Sequence, residues 1–117
     1  FAFSTGHPDD LRSLLSSSGL IDHFEGIVSL FDVRTYKPDP VAYAHFHRAA
    51  QTGGAETWLI SSNPFDVIGA VAAGMRALWL HRSPSMHFDP WEHQPTATVA
   101  TLVEAAAFFR RHCLAGV

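Results

Sequence analysis

The stretch Trp58-Leu59-Ile60-Ser61-Ser62-Asn63-Pro64-Phe65-Asp66 decides the fold of this chain. Its large apolar residues predict a strand that is covered on both faces, and small polar residues follow where the strand ends. Pro64 suits the first turn of a helix, where a missing N–H costs nothing. Open α/β sheets bind their ligands at strand-to-helix turns of this kind. We therefore expect Ser61, Asn63 and Asp66 to face a ligand-binding crevice.

Strand-like and helical segments alternate along the rest of the chain. Apolar runs predict further strands at residues 1–3, 27–30, 77–80 and 98–99. Start signals predict helices that begin at Pro8, at Pro40, at Pro64 and after Thr101. Alternation of this kind predicts a largely parallel sheet with right-handed crossovers. The length of 117 residues predicts a single core domain, residues 1–117.

Several helix ends can be predicted from local sequence. Asp39 is the expected N-cap of the helix that begins at Pro40, and Thr101 with Glu104 forms a capping box for the last helix. Gly53-Gly54 and Gly74 are expected to end the second and third helices. In the last helix, we expect the apolar face that meets the core to consist of Leu102, Val103, Ala106 and Phe109, with Phe108 as a further candidate.

Aromatic residues predict where the sheet and its longest loop pack. Trp58 and Trp79 are expected in the core on adjacent strands, with a place lining the crevice as the alternative for Trp79. The polar segment 82–96 reads as a long surface loop. Phe88 and Trp91 are expected to dock that loop onto the body of the protein.

Composition narrows the classes of partner. The net charge is −3, so no basic surface for nucleic acid or an anionic membrane is expected. No apolar run approaches membrane-spanning length. The single Cys113 excludes an internal disulfide and favours a reducing, cytoplasmic location, and it lacks the signals of a reactive thiol. The eight histidines lack the close spacing of zinc ligands, so no metal site is predicted.

Polar side chains follow three of the predicted strands. They are Ser4 and Thr5, then Lys37, then the set Ser61, Asn63 and Asp66. Singly, each has an ordinary structural explanation as a turn residue, a loop cation or a helix cap. Carboxyl ends of parallel strands share one edge, however, so we expect the three sets to converge. An ammonium group can then stabilise an anion, while Asp66 with Asn63 can polarise a water.

These residues also resemble a known family. Ser4-Thr5-Gly6, Tyr36-Lys37-Pro38-Asp39 with Tyr43 beyond, and Ser61-Ser62-Asn63-x-x-Asp66 are similar to the later motifs of the haloacid dehalogenase superfamily. The specific resemblance is to its (S)-2-haloacid dehalogenase (type II) branch. Lys37 follows Ser4 by 33 positions and Ser61 follows Lys37 by 24, and this ordered set is far more specific than a lone Lys-Pro-Asp.

The resemblance implies a fold and a reaction. The fold is a Rossmann-like, three-layer α/β/α parallel sheet with strand order 3-2-1-4-5 and a helical cap. The reaction is the hydrolysis of a carbon–halogen bond in a 2-haloalkanoate through an aspartyl ester, without metal or other cofactor. By motif, Ser4 contacts the substrate carboxylate, Lys37 stabilises the nucleophile, Tyr43 and Ser61 hold substrate and lysine, and Asn63 and Asp66 position the hydrolytic water. A homodimer is also implied.

The chain departs from the family pattern at two points. Thr5 stands where the family has a halide-binding asparagine, and its hydroxyl has a different reach. No motif for the first strand or the cap is present, so the nucleophile and the halide-binding arginine are expected outside this chain. We therefore interpret the chain as the carboxyl-terminal part of an enzyme and expect it to have no turnover alone.

Two other functions remain as alternatives. A magnesium-dependent phosphatase of the same superfamily usually carries Gly-Asp-x-x-x-Asp at the site strand. Here Ser62 replaces the first acid of that motif, which weakens a site for a hard cation. The other alternative is a binding module that keeps the fold and has lost turnover.

Overall fold

The structure is a computed structural model that describes residues 1–88 and 92–114, with only the backbone described at positions 113 and 114. The described residues form five strands and four α-helices, which alternate except between the fourth and fifth strands. The strands are β1 (Ala2–Ser4), β2 (Ile27–Ser29), β3 (Trp58–Ser61), β4 (Arg76–Leu80) and β5 (Ala97–Val99). The helices are α1 (Pro8–Ser17), α2 (Pro40–Ala50), α3 (Pro64–Ala72) and α4 (Leu102–Phe109). Short helical turns occupy Ile21–His23, Gly54–Glu56 and Arg110–Leu114.

Every strand pairing among these residues is parallel, as the alternation of strands and helices predicted. β1 pairs with β2 in one sheet, and β3, β4 and β5 form a second sheet in that order. The chain divides correspondingly into two compact units, Phe1–Gly53 and Gly54–Val117. The single domain of residues 1–117 stays a prediction. No helix within the described parts of the chain is both long and apolar enough to cross a membrane.

The unit Phe1–Gly53 packs an aromatic cluster between β1 and α2. The ring of Phe3 lies 5.0 Å from Phe46 and 5.8 Å from Tyr43, while Phe1 meets Phe46 edge-on at 5.9 Å between centroids. Edge-to-face pairs add to the burial energy of such rings. Asp39 caps α2 as predicted, since its carboxylate accepts the Val41 N–H at 2.8 Å. The helix ends at Gln51, in the left-handed region with φ 54°, before the predicted Gly53-Gly54.

The unit Gly54–Val117 builds its core around β4. Residues Ala77 to Leu80 of that strand are all buried, beneath Val67 and Ala70 of α3. The predicted end of α3 is confirmed at Gly74, whose φ of 89° favours glycine and whose N–H bonds Val71. Trp58 and Trp79 lie on adjacent strands, as predicted.

Burial in the second unit differs from the sequence prediction at two places. Strand β3 is covered less completely than predicted, because Leu59 is buried while Ile60, on the opposite face, is 44% exposed. In α4, the residues facing inward are Ala105, Phe108 and Phe109, which share one helix face by their spacing, and the two rings pack on Trp58 at 5.4 and 5.2 Å. Phe109 and the further candidate Phe108 were therefore predicted correctly, whereas the prediction was wrong for Leu102, Val103 and Ala106, which are exposed.

The remaining predictions for this unit concern the last helix start and the long loop. Thr101 and Glu104 cap the start of α4 as predicted. The Thr101 hydroxyl accepts the Glu104 N–H at 3.1 Å, and the Glu104 carboxylate accepts the Ala100 N–H at 2.8 Å. Phe88 docks the loop as expected, since its ring meets Trp79 at 5.2 Å. Trp91 and the side chain of Cys113 lie outside the described residues.

Candidate functional site

The predicted site residues divide between the two compact units. Ser4, Thr5, Lys37 and Tyr43 belong to Phe1–Gly53, and we call them the lysine cluster. Ser61, Ser62, Asn63 and Asp66 belong to Gly54–Val117, and we call them the aspartate turn. The convergence of the two sets stays a prediction.

Ser4 ends strand β1 and is fixed by two hydrogen bonds. Its main-chain carbonyl accepts the Leu30 N–H at 2.9 Å, and its hydroxyl oxygen accepts the Gly6 N–H at 3.1 Å. The hydroxyl of Ser29, at the end of the neighbouring strand, donates to the Gly6 carbonyl. The turn after β1 is therefore held by side chains from both strands, and this holds the exposed Thr5 at the carboxyl end of the sheet.

Lys37 is the only lysine among the 117 residues, and its ammonium group is held at the open edge of β1. The Nζ atom donates to the main-chain carbonyl of Phe3 at 3.0 Å and lies 4.1 Å from the centroid of the Phe3 ring. Ala2 and Ser4 direct their main-chain bonds toward β2, so the Phe3 carbonyl points to the opposite edge. A cation over a ring at this distance contributes about 0.5–1 kcal/mol.

Tyr43 completes the lysine cluster from helix α2. Its side chain is fully buried, and its ring meets Phe3 edge-on at 5.8 Å. Phe3 thus touches both Lys37 and Tyr43, and Ser4 follows Phe3 in the chain. This arrangement can place a positive charge beside a carboxylate at the sheet end.

A pocket of about 280 Å³ opens beside Thr5 in the same unit. Its walls are Thr5, Leu30, Phe31, Arg34, Thr35 and Tyr36. Arg34 was not predicted as a site residue, and its φ of 55° places it in the left-handed backbone region. The signal available in the sequence was its position three residues before Lys37, since Arg34 and Lys37 are the only lysine or arginine residues between positions 31 and 39.

The aspartate turn is built mainly from local hydrogen bonds. Ser61 ends β3, and its hydroxyl oxygen accepts the Asn63 N–H at 3.1 Å. The Asn63 side-chain oxygen accepts the Phe65 N–H at 2.9 Å, which makes Asn63 the N-cap of α3. Asp66 lies in the first turn of that helix and is 6% exposed. Positive N–H groups at a helix start favour a carboxylate there, so the turn presents an amide and an acid from one rigid element.

A tryptophan on the neighbouring strand also contacts this turn. Trp79 is paired with Ser61 in the β3–β4 register, and its indole N–H donates to the Ser62 carbonyl at 3.1 Å. The sequence predicted that Trp79 packs in the core. Its indole N–H adds a polar contact, with the Ser62 carbonyl, to that packing. Among the described residues, no three histidine, cysteine, aspartate or glutamate side chains come close enough to hold a metal ion.

Comparison with known proteins identifies the family. The model of the haloacid dehalogenase-like hydrolase family matches residues 2–80, which is more than half of the chain. The chain belongs to the haloacid dehalogenase-like hydrolase family. The resemblance that the motifs predicted, including its haloacid dehalogenase branch, is confirmed.

Relatives within the family are similar over most of this chain. Haloacetate dehalogenase H-2 of Moraxella sp. (strain B) is 32% identical over 99 residues, which are 85% of this chain and 44% of that protein. The phosphoserine phosphatase of Thermus thermophilus is 35% identical over 80 residues, which are 68% of this chain and 32% of that protein.

A solved structure confirms the predicted α/β fold of the haloacid dehalogenase type. The L-2-haloacid dehalogenase from Xanthobacter autotrophicus, with chloropropionic acid covalently bound, superposes with a TM-score of 0.86 at 26% identity. The superposition covers 95% of this chain and 54% of that one. The chain thus spans about half of the solved dehalogenase and less than half of the two relatives above.

Proposed function

We propose that the full-length protein hydrolyses the carbon–halogen bond of short 2-haloacids. In this reaction, a carboxylate oxygen attacks carbon 2 of the substrate, the carbon–halogen bond breaks, and halide leaves with the bonding electron pair. Water then attacks the carbonyl carbon of the resulting ester, which releases a 2-hydroxy acid and restores the carboxylate. The nucleophilic aspartate is assigned to sequence outside these 117 residues, and this chain alone is expected to be inactive.

The lysine cluster supplies the positive charge for this reaction. Lys37 balances the charge of the attacking carboxylate, Ser4 contacts the substrate carboxylate, and Tyr43 keeps the lysine in place. Support comes from the two contacts that hold the Lys37 ammonium group against Phe3, the residue before Ser4. Thr5 offers one hydroxyl hydrogen bond to the departing halide.

The aspartate turn serves the second half of the reaction. Asn63 and Asp66 position the water that hydrolyses the ester, and Ser61 orders the turn through its bond to the Asn63 N–H. The place of Asp66 in the first turn of α3, three residues after Asn63, supports a base role for its carboxylate.

One observation carries the choice of dehalogenation over other reactions of the family. Ser62 stands where metal-dependent members of the family carry an acid, so Asp66 is the only carboxylate of the turn. A neutral hydroxyl is a poor ligand for Mg²⁺, which is usually bound through carboxylates. The donor set of the turn therefore fits chemistry on an ester better than phosphoryl transfer. The haloacetate dehalogenase among the relatives supports the same choice.

A phosphatase remains the second candidate, because one relative is a phosphoserine phosphatase. In that case, Asp66 would hold the Mg²⁺ ion together with groups from outside this chain, and the ion would supply charge for phosphoryl transfer. The third candidate is a binding module, which would keep the same fold and bind a ligand without turning it over.

Halide release distinguishes the candidates. Full-length protein is incubated with (S)-2-chloropropionate, chloroacetate or phosphoserine, each with EDTA and with added Mg²⁺, and chloride and phosphate are measured. We expect chloride release that EDTA does not reduce. The matched variant Asp66→Asn should slow turnover by about a hundredfold or more and leave the covalent ester detectable by mass spectrometry. Phosphate release that requires Mg²⁺ would support the phosphatase, and neither product would support the binding module.

We also propose a setting for this activity. The single cysteine favours the reducing cytoplasm, and the net charge of −3 favours small-molecule substrates over nucleic acid. The homodimer is proposed from family resemblance. Sedimentation of the full-length protein tests the homodimer, and a monomer at micromolar concentration would contradict it.

A further inference from the structure

Trp79 makes a polar contact with the aspartate turn that its place in the core does not require. Its side chain is 6% exposed, and its indole N–H donates to the Ser62 carbonyl at 3.1 Å. We infer that Trp79 is a positioning residue that holds the Ser61–Asn63 turn in the geometry needed for ester hydrolysis. Its kinetic consequence rests on the proposed function, whereas its effect on the turn does not.

The contact lies where the backbone pairing between β3 and β4 ends. Ser61 is the last residue of β3 and pairs with Trp79, so Ser62 is the first residue without a ladder partner in β4. A tryptophan N–H is a donor only, and when buried it usually finds an acceptor. The indole therefore extends the link between β3 and β4 by one residue, through a side chain in place of the backbone.

The ring that carries this donor is itself held on two sides. His81 stacks on Trp79 with centroids 4.4 Å apart and planes 13° apart, and Phe88 meets the ring edge-on at 5.2 Å. His81 is anchored in turn, because its Nε2 lies 2.7 Å from the Met86 carbonyl, which can only accept. A group whose orientation is locked by packing positions its partner more precisely than a mobile one.

Movement of the Ser62 carbonyl would be transmitted to Asn63. The Asn63 N–H donates to Ser61, and the Asn63 side chain accepts from Phe65, so both contacts bracket the peptide that Trp79 holds. Loss of the hydrogen bond from the Trp79 indole to the Ser62 carbonyl should therefore displace the Asn63 side chain, which is proposed to position the hydrolytic water. The lysine cluster belongs to the other unit, so ester formation should change less.

The kinetic test compares Trp79→Phe with Trp58→Phe in the full-length protein. Trp58 is the matched control, because it is a strand tryptophan of the same unit whose ring packs on Phe108 and Phe109. For Trp79→Phe, we expect kcat and KM for (S)-2-chloropropionate to fall together by about tenfold, with kcat/KM nearly unchanged and the ester intermediate accumulating. Trp58→Phe should show no accumulation.

A second measurement separates this inference from the proposed function. Amide hydrogen exchange at Asn63 and Phe65 should accelerate by about tenfold in Trp79→Phe relative to Trp58→Phe, whether or not the protein releases halide. If Trp79→Phe fails to fold, benzothienylalanine at position 79 removes the N–H and keeps the ring. Unchanged exchange in the folded variant would overturn the inference, as would a fall in kcat/KM without ester accumulation. Absent halide release in the unmodified protein would overturn only the proposed function.

Discussion

The lysine cluster and the aspartate turn hold their charged groups in opposite ways. Lys37 sits in a loop, and its ammonium group is placed by a main-chain carbonyl and a ring that lie more than thirty residues earlier in the chain. Asp66 sits in the first turn of a helix, where its position follows from the strand, turn and cap beside it in sequence. A long-range contact thus fixes the cation, and local structure fixes the acid.

This difference has a consequence for function. A side chain on a flexible stem can change partners while the fold stays intact. An acid on a capped helix start can move only if the turn moves with it. We therefore expect substitution of Lys37 to act on chemistry with little effect on stability, and substitutions around the aspartate turn to affect both.

The largest expected effect comes from Lys37→Ala in the full-length protein. Removal of the ammonium group should lower kcat/KM for (S)-2-chloropropionate by about a thousandfold, because a preorganised charge at the reacting group is lost. Circular dichroism and thermal unfolding should show an intact fold. Arg12→Ala removes an exposed cation from α1 of the same unit and is the control, with unchanged activity expected. A loss of only a few-fold for Lys37→Ala would contradict the assigned role.

The next prediction tests whether the two units are stabilised separately. Leu30 in the first unit and Leu78 in the second are both fully buried. Leu30→Ala and Leu78→Ala should each lower the free energy of unfolding by about 2–5 kcal/mol through lost contacts and a cavity. Denaturant unfolding measures the loss, and amide exchange shows which residues lose protection.

The pattern of protection is the informative result. Each substitution should weaken protection mainly in its own unit, since each has its own sheet and buried residues. Leu30→Met and Leu78→Met keep most of the side-chain volume and should cost less than about 1.5 kcal/mol. Equal loss of protection across both units would instead support the single domain predicted from the chain length.

The local features of this molecule could be predicted from its sequence. Pro64 and Asn63 specify the start of α3, Asp39 specifies the start of α2, and each rule depends only on residues within one helical turn. The parallel pairing of strands also followed from the alternation of elements. The aspartate turn was predictable for the same reason, because its geometry is mostly a strand end followed by a cap.

Features that depend on tertiary packing could not be predicted in this way. The periodicity of α4 allows several apolar faces, and the contacts of Phe108 and Phe109 with the ring of Trp58 select the face that packs inward. Val103 was expected to face the core and is 78% exposed. The contacts of Lys37 with Phe3 and of Trp79 with Ser62 likewise join residues whose proximity no short-range rule specifies.

The smallest expected effects come from the two helix caps, one in each unit. Asp39 accepts the Val41 N–H at the start of α2, and Thr101 accepts the Glu104 N–H at the start of α4. Asp39→Ala and Thr101→Ala should each lower the free energy of unfolding by about 1 kcal/mol, because one N–H at each helix start loses its partner. Asp39→Asn and Thr101→Ser keep an oxygen acceptor and should recover most of that loss in denaturant unfolding.

Activity should separate the two caps even though their stability costs are similar. Asp39 lies two residues after Lys37, so fraying of the α2 start loosens the loop that carries the ammonium group. Thr101 begins a helix that carries no predicted site residue. We therefore expect a several-fold loss of kcat/KM for Asp39→Ala and unchanged kcat/KM for Thr101→Ala at a temperature where both are folded. Equal losses would mean that global stability, and not the long-range placement of Lys37, limits the activity of the lysine cluster.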